Sequence, residues 1–376
     1  MRNTIIALLI IAFPLSLFAQ DFDKGLAAAQ TGDFKTALKE WTFLAEHGNK
    51  AAQFNLGIMY QQGTGVPQDI GEAIKWYVLA AEQGHADAQS NLGSIYMKNT
   101  GVPQNFEEAA KWYKMAAEQG HSEAQLNLGF MHFEGMGIQT DYATAVKWFT
   151  RAAEQGHAIA QNNLGIISTH GIGGPVDHES ATKWYKMAAV QGHLDAQYNL
   201  AVNYHEGLGV RQNFEEAIKW YTIAAEQGHA ESQANLGFMY DEGLGVSKNH
   251  KKANVWHKLA AAQGNATAQF NLGLNYHYAL GVRQNYEDAL IWYELAAEQG
   301  HSGAQLNLGL MYDEGIGVEE ENVLAHMWYN ISAENGNAQG AINRDVVASD
   351  MTPEDVFAAI NLALKCIQSN YRDCGY

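Results

Sequence analysis

Asparagine occupies positions 55, 91, 127, 163, 199, 235, 271 and 307, each directly before a leucine. A primary amide carries a donor and an acceptor together, the pair that matches an extended peptide backbone. At helical spacing it lies about a quarter-turn from that leucine, at the edge of the apolar stripe. Asn91, Asn127, Asn163, Asn199, Asn235 and Asn271 are therefore candidate peptide-binding groups. The same amides can instead satisfy a neighbouring helix or loop, because buried polar groups are almost always paired. Two further positions change at every step of the pattern. One holds Phe54, Ser90, Leu126, Asn162, Tyr198, Ala234, Phe270 and Leu306. The other holds Gln61, Met97, Phe133, Thr169, His205, Asp241, His277 and Asp313, with Glu134, Glu206, Glu242 and Glu314 following at the next position. Variation inside a rigid pattern marks positions that packing does not dictate, so Leu126, Phe133, Tyr198, His205, Asp241, Phe270 and His277 join the candidate contacts. Solvated surface or packing between units is the plainer account of the same variation.

Other residues with chemical potential read as structural. Six histidines, at 85, 121, 157, 193, 229 and 301, each follow a glycine and invite a metal hypothesis. Equivalent atoms of successive helix pairs lie on the order of 10 Å apart, whereas zinc holds its ligands at about 2 Å. No metal site is expected. The tryptophans, eight of them at a constant interval with Trp41 as the outlier, read as core aromatics. Ser180-Ala181-Thr182-Lys183 spells the acylating S-x-x-K signature. Lys183 falls on the slot of Lys75, Lys111, Lys147 and Lys219, however, and Ser180 on that of Glu72 and Glu108, so the ordinary pattern accounts for both. No K-T-G, S-D-N, G-x-S-x-G, H-E-x-x-H, Walker loop or C-x-x-C is present, and no catalytic residue or cofactor is expected.

The elements that must position these residues come from repetition. Glycines at 48, 84, 120, 156, 192, 228, 264, 300 and 336 stand 36 apart, and a second series runs through 57, 93, 129, 165, 237, 273 and 309 with Ala201 in the remaining slot. Such a period means that each unit buries its apolar face only against its neighbours. Within one unit, Ala52, Leu56 and Tyr60 recur at four-residue spacing, and so do Ala73, Tyr77 and Ala81, which gives two amphipathic helices, A and B. Gly63-Thr64-Gly65-Val66-Pro67-Gln68 separates them. Asp69 with Glu72, Asn105 with Glu108, Asn213 with Glu216 and Asn285 with Asp288 mark the start of helix B. Eight units are expected over 51–338. A helix pair at 20–50 closes one end, and residues 339–376 close the other, with Thr352 and Pro353 opening a last helix whose stripe is Val356, Ile360, Leu364 and Ile367.

Composition narrows the function. The chain has 376 residues, 47% apolar, 17% charged, with five prolines, which excludes a disordered or disulfide-dense class. A formal charge of −18 repels polyphosphate and anionic lipid, so nucleic acid and membrane adhesion are poor partners and a basic-hydrophobic segment is a better one. Arg2, the apolar run from Ile5 to Leu15, and Ala19 before Gln20 read as a signal peptide over residues 1–19. That run is shorter than the roughly 20 residues of a membrane span, and the mature chain is expected to be exported to a bacterial periplasm or beyond, with no membrane insertion. In that compartment Cys366 and Cys374, the only cysteines, are expected to pair as a disulfide between the last helix and the tail.

The motif A-x-x-x-L-G-x-x-Y-x-x-G-x-G-V, followed by D/N-x-x-x-A-x-x-W-Y-x-x-A-A-E-Q-G, resembles the Sel-1-like repeat, a relative of the tetratricopeptide repeat, over about residues 21–345. The resemblance implies an all-α fold: a right-handed superhelical α-solenoid of antiparallel helix pairs, whose A helices line a concave groove that binds proteins or peptides. Some secreted relatives with one disulfide per repeat are linked to β-lactam binding; this chain lacks those cysteines. Departures from the motif are Ser168 and His132 at the Tyr60 slot, Asn99 and Ala279 at the Gly63 slot, and Gly174 at the Val66 slot, where looser turns or helix ends are expected. The function expected is a non-enzymatic scaffold holding a protein segment. The alternatives are a spacer in an envelope assembly and an enzyme acting on β-lactams or cell-wall fragments.

Overall fold

The computed structural model describes residues 15–99, 101–372 and 374, with side chains from residue 22 onward. The leader expected at 1–19 lies outside the described residues as far as position 14. Among the described residues there are twenty helices and no strand. The chain divides into two compact units, 1–177 and 178–376. The first unit contains α1 (Leu15–Gln30), α2 (Phe34–Glu46), α3 (Lys50–Gln62), α4 (Ile70–Glu82), α5 (Ala86–Met97), α6 (Phe106–Glu118), α7 (Ser122–Glu134), α8 (Tyr142–Glu154) and α9 (Ala158–His170). The second contains α10 (His178–Ala189), α11 (Leu194–Glu206), α12 (Phe214–Glu226), α13 (Ala230–Glu242), α14 (His250–Ala262), α15 (Ala266–His277), α16 (Tyr286–Ala297), α17 (Ser302–Glu314), α18 (Asn322–Glu334), α19 (Ala338–Ala348) and α20 (Pro353–Gln368). Within each unit consecutive helices pack on one another, with α20 packing on α18, so the fold is a solenoid of helix pairs.

Local chemistry sets the boundaries. Asp69 accepts the Glu72 amide at 3.0 Å, and Asn105, Asn213 and Asn285 cap α6, α12 and α16 in the same way. At the end of α4, Gly84 (φ +79°) lets its own amide reach the Ala81 carbonyl at 2.9 Å and the His85 amide reach Ala80 at 3.1 Å, satisfying two carbonyls that the helix leaves open. The turn after α15 keeps its left-handed residue although the sequence supplies alanine: Ala279 sits at φ +58°. The turn is therefore strained rather than loosened. Ala279→Gly is expected to stabilise the chain by about 1 kcal/mol, read as a higher urea midpoint at unchanged slope.

In most units the deepest ring is not the tryptophan but the residue after it; in the last, Trp328 and Tyr329 are both fully buried. Tyr77, Tyr293 and Tyr329 are fully buried, Phe149 and Tyr221 nearly so, and His257 takes the same slot. Of the tryptophans, Trp41, Trp112, Trp220 and Trp328 are buried, while Trp76, Trp148, Trp184, Trp256 and Trp292 are only half-buried. The ring lies flat on the glycine of the A helix: a methyl group added to Gly57 would sit 2.5 Å from Tyr77, and one on Gly273 2.4 Å from Tyr293. This close approach is why the N-L-G glycine recurs. Trp41 fills the same ring slot in the first pair, against Gly25, which explains its displaced position in the sequence.

Glutamines tie the pairs together. Gln53, buried, donates to the Ala45 carbonyl of α2 at 3.0 Å and accepts from Gln83, just past α4, at 2.7 Å. The same two bonds recur at Gln89 (Ala81 and Gln119) and Gln125 (Ala117 and Gln155) in the first unit. In the second unit they recur at Gln197, Gln233 and Gln269. The last rung runs from Gln305 to Asn335, whose carbonyl oxygen accepts from the Tyr371 hydroxyl at 3.0 Å.

The C-terminal end departs from expectation. In α20 the buried face is Ala359, Ala363 and Cys366, whereas Ile360 and Leu364 are exposed at 38% and 49%. Small side chains let α20 approach α18 closely, and the Cys366–Cys374 disulfide, both ends buried, holds that face inward.

Candidate binding face of the first helices

Most A helices begin with a polar side-chain cap; α9 is an exception, its His157 pairing with Glu123 at 3.0 Å instead. His85, His121, His193, His229 and His301 present Nδ1 to the amide three residues on, at 3.1–3.4 Å, and Asn49 and Asn265 do the same with a side-chain oxygen. The histidines are helix caps, a role their position after glycine did not disclose. An accepting Nδ1 requires the neutral ring. Burial holds His85 and His301 below the ordinary histidine range, against a smaller opposing pull from Asp87 on His85. Because the unfolded ring protonates first, this contribution is complete above about pH 6.5 and is lost as pH falls below it towards the folded values. His301→Asn, which copies the natural Asn265 cap, is expected to flatten the fall in melting temperature between pH 7.5 and 5 while leaving the value at pH 7.5 within a few degrees.

The asparagine ladder is half-buried throughout. Asn91 lies beside the Tyr77 hydroxyl of the preceding unit, whose pKa burial raises to about 12, and Asn235 lies beside that of Tyr221. Leu126 is 3% exposed and is not a surface contact. Its slot points between units: Phe54 and Phe270 stack on the cap histidines His85 and His301 at 4.4 Å, and Tyr198 lies 4.8 Å from His229. The second variable slot pairs with the core ring of its own unit. Gln61 accepts from Tyr77 at 2.6 Å and Asp313 from Tyr329 at 2.9 Å. His205 meets Tyr221 edge-on, His277 lies near Tyr293, and Phe133 packs edge-on against Tyr142. Asp241 is 8% exposed and is also no free contact: it accepts from His257 at 2.9 Å and from His250 at 2.7 Å. Burial pushes its carboxyl up, but those two bonds outweigh burial and hold it below the usual aspartate range. At Gln61, His205, Asp241, His277 and Asp313 the slot therefore meets the ring sixteen residues on.

What remains open to solvent on the A helices is the residue after N-L-G, which sequence reasoning passed over. In the first unit it is Ile58, Ser94, Phe130 and Ile166; in the second it is Val202, Phe238, Leu274 and Leu310. All are half-buried except Phe238, which is 42% exposed. Glu134, Glu206, Glu242 and Glu314 stand exposed one turn on. The slot is apolar in seven of eight units, and Ile58, Leu274 and Leu310 pack one side against the core while staying only half-buried. Lys183 Nζ pairs with exposed Glu179 at 2.7 Å on α10. Among the described residues no group of three or more histidine, cysteine, aspartate or glutamate side chains is arranged to hold a metal ion. No helix among them is long and apolar enough to cross a membrane.

The Sel1 repeat profile matches eight abutting segments, 50–85, 86–121, 122–157, 158–193, 194–229, 230–265, 266–301 and 302–337. The chain belongs to the Sel1 repeat family. Among solved structures it is similar to c5321, described as a protective antigen present in uropathogenic Escherichia coli strains and displaying an SLR fold. Identity is 36%, the match covers 95% of this chain and 78% of that one, and the TM-score is 0.85. A Sel1 repeat protein from Oxalobacter formigenes matches at 34% identity over 81% of this chain and 88% of that one, with a TM-score of 0.63. A search of curated proteins returns no match. In Sel1 terms, the turn glycines, ring slots and glutamine rungs described above are the repeat's scaffold, and the A-helix apolar slot with its carboxylates is what it leaves open.

Proposed function

We propose that this Sel1 repeat protein is an exported, non-catalytic scaffold that binds a basic, apolar protein segment along its A helices. The observation that carries the reading is the solvent-open apolar slot, Phe130 and Phe238 above all, flanked by Glu134 and Glu242 in a chain of net charge −18. Apolar area supplies affinity and the carboxylates select a basic partner and speed its encounter. The leader-like residues 1–19 support export, as does similarity to a protein described as a protective antigen. A photo-crosslinking residue placed at Phe238 is expected to capture a discrete partner in intact cells. The same residue at Val255, exposed at 58% on B helix α14, is expected to capture none. Capture should disappear in Glu242→Lys. Equal labelling from both positions, or labelling from neither, would overturn the reading.

A further inference from the structure

One ring slot in the chain lacks a polar tip. The nine residues are Trp41, Tyr77, Tyr113, Phe149, Tyr185, Tyr221, His257, Tyr293 and Tyr329, and only phenylalanine has no N–H or O–H. Where a tyrosine stands, as at 77 and 221, the next unit's asparagine lies beside its hydroxyl. Opposite Phe149 that asparagine is Asn163, and its Nδ2 is buried with no hydrogen-bond partner. The missing hydroxyl also leaves room. A hollow of about 140 Å³ lies between α7, α8 and α9, walled by Phe130, Phe133, Phe149, Ile166 and Ile167, with Asn163 in its lining. Phe130 meets Phe149 edge-on at 5.2 Å, so the aromatic walls are fixed rather than collapsed onto the space. The lining's one charged residue is Glu134, which is exposed.

An apolar cavity of about 150 Å³ is large enough for a benzene ring, and an unpaired buried amide is costly until an acceptor reaches it. We infer that this hollow receives a single phenylalanine-sized side chain from a partner segment, with a lysine or arginine of that segment on Glu134 and a main-chain carbonyl taking the Asn163 amide. The inference rests on the A-helix binding reading and gives it a specificity pocket. Charge complementarity selects the basic flank, and the size of the hollow selects the ring.

The test is amide NMR on the full chain, titrated with acetyl-Lys-Phe-Lys-amide, acetyl-Lys-Ala-Lys-amide and acetyl-Glu-Phe-Glu-amide. The Asn163 side-chain resonances are expected to move with the first peptide and to stay still with the other two. Phe149→Tyr puts a hydroxyl into the hollow beside Asn163 and fills it, so it should weaken the first titration about tenfold or more while the melting temperature holds or rises. Ile166→Trp, which plugs the hollow from its wall, gives the same loss by a second route. Asn163 silent to every peptide, or an unchanged titration in both variants, refutes the pocket. If amides around Phe238 move while Asn163 does not, the pocket falls and the wider A-helix reading stands. If no A-helix amide moves, both fall.

Discussion

Asp241→Ala is expected to destabilise the second unit by about 3 kcal/mol, the sum expected for two lost hydrogen bonds to a carboxylate and a buried donor left unpaired. The substitution strands the fully buried His257, whose Nε2 loses its acceptor, and frees His250. Urea unfolding followed by tryptophan fluorescence should show the lowered midpoint, and hydrogen exchange should place the loss in α13 to α15. The pH dependence gives a second handle. Because the folded carboxyl is held below its ordinary value of 3.8, Asp241 contributes stability that is complete above that value and is lost as pH falls through the folded one. The alanine variant should lack that acid component. Asp241→Gln combined with His257→Tyr transplants the Gln61–Tyr77 pair and should recover most of the loss, since Gln61 and Tyr77 meet at the same two slots with a 2.6 Å bond. A double variant no better than the single one would show that the slots are not a matched pair.

Gln89→Ala should cost about 2 kcal/mol, at roughly 1 kcal/mol for each of two lost bonds. They run to the Ala81 carbonyl at 2.9 Å and from Gln119 at 2.6 Å, and the Ala81 carbonyl keeps the Gly84 amide at 2.9 Å. Since each pair touches only its neighbours, exchange should quicken in α4, α5 and α6 and stay unchanged in α1 and α2. A uniform loss along the first unit would contradict a nearest-neighbour role for the rung.

Much of this was legible in the sequence because turns and caps are local. Gly63, Asp69 and Gly84 act within a few residues of themselves, so their types suffice to place helix ends. What was not legible lies across the stack. The glutamine at position 89 is as regular as the asparagine at 91, but a sequence does not say which of two constant amides faces inward; only Gln89 finds a carbonyl in the previous pair. Variation at the slot of Asp241 looked like freedom because its partner sits sixteen residues away on another helix. In α20, bulk favoured Ile360 and Leu364, while close helix contact and the disulfide favoured Ala359, Ala363 and Cys366. The open slot of Phe130 and Phe238 was missed because an apolar residue beside N-L-G reads as core.

The glutamine rungs bear on how such a chain can lengthen. Every rung closes inside one helix pair and adds one bond to the pair before: Gln83 reaches back to Gln53, which bonds Ala45, and Gln119 to Gln89, which bonds Ala81. Copying one complete 36-residue stretch in tandem therefore delivers a new rung already closed at both ends, whereas a partial copy strands an amide. Duplication in whole units is thus an insertion that costs the rungs no hydrogen bond, and the stack can lengthen one closed pair at a time.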